Sequence, residues 1–237
     1  MGAGRRGDSR AELKPTAHQT FELEGRGACD FAAVLERSYR LQGEGRVEEA
    51  CNERYAAVQR LMDILPEDEE TIFEFGHRNS RAALELVQAS GVDHFLAGDF
   101  EMAAALAELL LDLDPEDHLG VVVLAGFCYV ALGEYDSFGD IECDIADSQP
   151  EKTILRLWSS FRRTGSLPPE DLSVLRERFT AVYEEFTSAV HPVDEEYLRD
   201  VESASPSRKT EARRLWLQTE HLWREEGEFI KQLGIFN

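Results

Sequence analysis

No apolar run in this 237-residue chain approaches the roughly 20 residues that a helix needs to cross a bilayer, so no membrane span and no membrane partner are expected. Cysteine is scarce. Cys29, Cys51, Cys128 and Cys143 stand singly, with no CxxC pair and no clustered ligands, so neither a metal nor a cofactor is expected. Cys128 falls on an apolar helix face and reads as a small buried hydrophobe. Such cysteine usage fits a reducing, cytoplasmic setting. Positive charge is the other shortage: 25 Lys and Arg face 47 Asp and Glu, a formal charge of −22. A surface that acidic repels phosphate backbones, and the small basic clusters at Arg156, Arg162, Arg163 and at Arg208, Lys209, Arg213, Arg214 form no strip for nucleic acid. Basic or apolar partners fit better.

Catalytic signatures are missing too. The six histidines occur singly and form no HExxH pair. No Gly-rich phosphate loop, GxSxG elbow or EF-hand loop occurs. Acid pairs such as Glu69/Glu70, Glu184/Glu185 and Glu195/Glu196 read as solvated helix faces in so acidic a chain. No catalytic residue is assigned, and the chain reads as a non-enzyme.

An apolar content of 43% is ordinary for a folded protein. Residues 1–28 are rich in Gly, Arg, Ser, Thr and Glu without apolar periodicity, and are expected to be a mobile tail with no secretory signal. From Cys29 onward the period is helical. Phe31, Val34, Leu35, Tyr39 and Leu41 mark one helix, ended by Gly43 and Gly45, and Val47 through Leu65 mark a second, closed by Pro66. Asn79 is a candidate cap for the next helix. Whether 68–97 holds one helix or two stays open.

Residues 84–150 contain one pattern twice. Gly91, Gly98, Phe100 and Pro115 return as Gly126, Gly133, Tyr135 and Pro150, each 35 residues later. Gly91 and Gly126 lie mid-helix, where glycine costs roughly 1 kcal/mol against alanine, and are expected where a neighbouring helix comes close. Gly98 and Gly133 suit the left-handed ends of helices. Asp114-Pro115 and Gln149-Pro150 are expected to stop the second helix of each copy. Past Pro150 the helices continue, with one stripe over Leu172, Leu175, Phe179, Val182, Phe186 and Val190, and a last helix carrying Trp216 and Trp223 as core residues. No strand is expected.

This register resembles the tetratricopeptide repeat, a helical hairpin that stacks on copies of itself, with 84–150 as two clear copies and 29–66 as a degenerate one. In the degenerate copy Ser38 replaces the glycine of the first helix. The resemblance implies an all-α, superhelical stack over 29–150, with 151–237 as a helical extension packed on it. It also implies a concave groove lined by Glu85, Gln88, Val92, Phe95 and Leu96 from one copy, and by Gly120, Val123, Phe127, Val130 and Ala131 from the next. His94 falls where the repeat carries a packed tyrosine, so a buried structural histidine is expected there. The Lys, Arg and Asn clamp with which some members hold a peptide carboxylate is missing. The implied function is a non-catalytic scaffold or adaptor that binds another protein or peptide. The alternative is an accessory or regulatory subunit that senses a small molecule or assists an enzyme. Whether the groove is open or filled by the chain's own helices is left undecided.

Overall fold

The computed structural model describes residues 9–66 and 69–234, which form two compact units divided between Ala125 and Gly126. The fold is mostly helical, roughly in keeping with the all-α expectation, and adds one small three-stranded sheet that was not expected. The first unit opens with an antiparallel hairpin, β1 (Arg10–Ala17) and β2 (Thr20–Arg26), in which Leu13 pairs with Leu23 and Glu12 with Glu24. Residues 9–28 are therefore not a tail, while residues 1–8 lie outside the described residues. The hairpin escapes a periodicity reading because its apolar content is thin. Ala11, Leu13, Phe21 and Leu23 alternate with charged residues, and only Leu23 is fully buried. Lys14 meets Glu24 across the strands at 3.3 Å, on the exposed face.

A short 3-10 turn, Gly27–Cys29, leads into α1 (Phe31–Gly43), whose first turn is capped by the Asp30 carboxylate. Helix α2 (Val47–Met62) packs back on α1. A two-residue strand, β3 (Ile72–Phe73), then pairs parallel with β2 and completes a sheet ordered β1-β2-β3. The open question over 68–97 resolves as β3 followed by one helix, α3 (Arg78–Leu96). His77, not Asn79, caps α3, its ring accepting from the Ser80 N–H. Asn79 instead accepts from Phe31 N–H at 2.8 Å and Ala32 N–H at 3.3 Å, so it caps α1. Helix α4 (Phe100–Leu113) follows a turn in which Gly98 takes φ +81°, a region that a Cβ disfavours.

Helix α5 (Val122–Leu132) runs across the division, and Gly133 ends it at the same φ of +81°. Here the second copy departs from the first. Helix α6 (Tyr135–Ile141) is only 7 residues long and passes into a 3-10 turn at Glu142–Asp144. Phe138 is buried at the position that Ala103, 35 residues earlier, holds in the first copy. Pro150 does not stop a helix; it begins α7 (Pro150–Thr164), where its missing N–H costs nothing. The stripe expected as one helix over 172–190 breaks at Phe179, with φ −114° and ψ 43°, into α8 (Pro169–Arg178) and α9 (Thr180–Phe186). Then come α10 (Glu195–Val201), α11 (Arg208–Glu225) and α12 (Gly227–Gly234). The apolar residues Ile235 and Phe236 lie outside the described residues.

The second core is aromatic. Trp158 meets Trp223 edge-on at 5.1 Å, and Phe186 meets Trp216 in the same way at 5.1 Å. Trp216 and Trp223 are buried, as their helical spacing leads one to expect.

Candidate functional site

Helix α3 presents Glu85, Gln88, Val92 and Leu96 at intervals of three and four residues, which places them on one face. Along that face exposure rises. Glu85 is half-buried with Arg81 at 3.5 Å, and the Gln88 amide donates to the Leu119 carbonyl at 2.8 Å. Val92 and Leu96 stand open, at 39% and 51% exposure. Phe95 points elsewhere: it is buried, edge-on to Phe100 at 5.7 Å. Val123 is half-buried and Gly120 exposed, both in the first unit. In the second unit Phe127 is buried 6.4 Å from Trp158, and Val130 is buried with its carbonyl accepting from Arg162 at 2.5 Å. Ala131 is half-buried. Only Val92 and Leu96, of the eight residues Glu85, Gln88, Val92, Phe95, Leu96, Val123, Phe127 and Val130, offer exposed apolar surface.

A buried charge underpins this face. Arg54 of α2, at 4% exposure, donates to both oxygens of Asp93 on α3 at 2.8 and 3.0 Å, to Gln42 Oε1, and to Ser38 Oγ at 3.3 Å. A charge taken out of water needs such a full set of partners. The Ser38 hydroxyl is thus one of the groups the arginine uses. The clamp joins α1, α2 and α3 just before His94. His94 is half-buried rather than buried, with Nδ1 3.0 Å from Asp99 Oδ2 and its ring 5.6 Å from Tyr55. Nothing in the helical pattern singles out Arg54, because a polar residue on an amphipathic helix reads as solvated.

The same reading misplaces Glu185. Of the pair Glu184/Glu185, only Glu184 is exposed; Glu185 is buried, accepting from Arg213 Nε and Nη2 and sitting 2.6 Å from His191 Nδ1. Arg213 also donates to the Pro192 carbonyl at 2.6 Å, and the His191 ring stacks on Trp216 at 4.0 Å. This set ties the loop after α9 to α11, and the Glu185 hydrogen bond raises the Arg213 guanidinium further above its ordinary value.

Next to it, wholly inside the second unit, lies a cleft of about 800 Å³. The start of α7, the junction of α8 with α9, and one face of α11 enclose it. Phe179, Val182 and Leu215 supply an apolar wall. Glu151, half-buried in the first turn of α7, has its carboxyl pushed above the usual range by burial, against the opposing pull of Arg214. Arg208 and Arg214 of α11 also line the cleft, and among the described residues neither makes a hydrogen bond or an ion pair. Glu184 and Glu211 line it too, and their carboxylates are likewise unpaired among the described residues.

Among the described residues, no group of three or more His, Cys, Asp or Glu side chains could hold a metal ion, and no helix is long and apolar enough to cross a membrane. Compared with known proteins, no family model, no curated protein and no solved structure matches the chain.

Proposed function

We propose that this chain is a non-catalytic interaction module of tetratricopeptide type, which binds another protein or peptide through the open face of α3. The observation that carries the reading is the pair Val92 and Leu96, one helical turn apart and exposed at 39% and 51%. They lie on a helix whose other faces are held by α1, α2 and α4. Apolar side chains kept in water on a rigid element cost solvation that a partner's apolar group would relieve. Behind them the Arg54–Asp93 clamp fixes the C-terminal half of α3, so the face is presented without a further ordering cost on binding. Glu85 at one end of the face, within a strongly acidic chain, favours a partner with basic flanks around an apolar anchor.

The test is capture of partners from lysate with the intact chain and with a Val92→Asp, Leu96→Asp double variant. Both positions are exposed, so the variant should melt as the parent does. A captured protein that is lost from the double variant supports the reading. Retention of every captured protein at unchanged yield sinks it. Phe127→Asp is unsuited to this purpose, since Phe127 is core and its substitution unfolds the second unit.

A further inference from the structure

The cleft of the second unit is lined by charges of both signs that do not pair with each other. Glu184 and Glu211 have no cation within 4 Å among the described residues, and Arg208 and Arg214 have no carboxylate within that distance. In a chain that uses its arginines freely in ion pairs (Arg37, Arg46, Arg54 and Arg213 all have carboxylate partners), such an arrangement is a departure. Opposite charges on one helix face, Glu211 and Arg214 three residues apart, are spaced for a helical ion pair, yet the two side chains stay apart. Between the charges sit Phe179, Val182 and Leu215.

From this lining we infer a site for a small apolar zwitterion, a molecule carrying one ammonium, one carboxylate and an apolar side chain. Free apolar amino acids and short peptides share that chemistry. The guanidiniums of Arg208 and Arg214 receive the carboxylate, for which arginine's planar fork is matched. Glu184 and Glu211 receive the ammonium. The side chain lies on the wall of Phe179, Val182 and Leu215. A ligand with only one charge would satisfy one set and leave the other facing an uncompensated neighbour. The cleft volume of about 800 Å³ falls within the range of small-molecule sites. Glu151 adds to the case for an ammonium, because burial raises its carboxyl above the usual range and a cation beside it offsets that cost of ionising. The site is independent of the α3 face, so either assignment can fail alone.

Isothermal titration calorimetry on the full chain decides it. The probes are leucine and the dipeptide Leu-Leu, set against 4-methylpentanoate, which lacks the ammonium, and 3-methylbutylamine, which lacks the carboxylate. Saturable binding of leucine or Leu-Leu, with both single-charge analogues at least about tenfold weaker, is expected. The tighter of the two zwitterions names the source, free amino acid or peptide. Arg214→Gln and Glu211→Gln, both at exposed positions, should each weaken binding by about tenfold while leaving the melting temperature alone. Absence of saturable heat with both zwitterions overturns the inference. So does an analogue that binds as well as its zwitterion, or binding that neither variant weakens.

Discussion

The Asn79 side chain accepts a hydrogen bond from the Phe31 N–H at 2.8 Å across 48 residues of chain. Its amide also donates to the Leu23 carbonyl at 3.0 Å and the Cys29 carbonyl at 3.2 Å, and the neighbouring Ser80 hydroxyl accepts from the Leu23 N–H at 2.8 Å. One buried residue at the start of α3 therefore fastens the hairpin, the turn after it and the first turn of α1. A two-stranded hairpin is marginal by itself, so this anchor explains why a charged, glycine-containing segment is ordered at all.

Asn79→Ala takes their partner from two backbone donors, the Phe31 and Ala32 N–H groups, and from two acceptors, the Leu23 and Cys29 carbonyls. Each unsatisfied group costs about 1–3 kcal/mol, and the sum is expected to reach about 3 kcal/mol or more. Thermal melting followed by circular dichroism should fall by roughly 5–10 °C. An unchanged melting point would mean the anchor contributes nothing.

The two mid-helix glycines separate on the same measurement. A Cβ at Gly91 meets nothing closer than Leu124 Cδ2 at 3.4 Å, an acceptable contact. At Gly126 it lies 2.9 Å from Leu155 Cδ1, on a fully buried leucine in a packed core. Gly91→Ala should therefore gain up to about 1 kcal/mol of helix propensity. Gly126→Ala must displace Leu155 and loses that gain to about 1–3 kcal/mol of overpacking. Gly126→Leu should be much worse. The melting order expected is Gly91→Ala at or above the parent, then Gly126→Ala, then Gly126→Leu; equal values for the two alanine variants would contradict the packing described.

Those glycines also mark how far the sequence could be read. Local chemistry was legible: Gly98 and Gly133 do end α3 and α5 in the left-handed region, and Trp216 and Trp223 are core. Partner choice was not. Asn79 has the chemistry of a cap, but only the fold places it at α1 rather than α3. Pro150 is equally able to follow a helix or to start one, and here it starts α7. Among the groove positions, Phe95 and Leu96 are neighbours in sequence and stand about 100° apart around the helix, which is enough to make one buried and the other open. Buried ions are the least legible class. Arg54 and Glu185 look like any solvated charge until the structure supplies Asp93 and Arg213.

The four thiols should report burial directly. Cys143 is exposed, whereas Cys29 and Cys128 are buried and Cys51 is half-buried with its thiol raised, mainly by burial and then by Asp93. Burial pushes the Cys128 thiol up to about 12, so almost none is thiolate at neutral pH. Maleimide labelling read by intact mass is expected to modify Cys143 first in the native protein, with Cys128 reacting only under denaturant. Early modification of Cys128 would show that the apolar side of α5 opens in the native state.

Glu151 provides a test of the cleft's electrostatics that needs no ligand. Its carboxyl is held above its ordinary value of 4.5, with burial the largest cause. For a raised acid the folded state keeps a proton that the unfolded chain has already lost, so stability falls as pH rises through the window from 4.5 to the folded value. Glu151→Gln removes that titration. The variant should melt close to the parent below the 4.5 end of the window and above it at neutral pH, a difference that grows with pH. Asp117, the other carboxyl among the described residues raised chiefly by burial, is common to both proteins and drops out of the comparison. The opposite sign has an equally definite cause. Glu151 sits in the first turn of α7, where the helix dipole favours a negative charge, and Arg214 adds to that pull. A glutamine variant less stable than the parent at neutral pH would mean that these attractions outweigh the cost of burial in the folded protein.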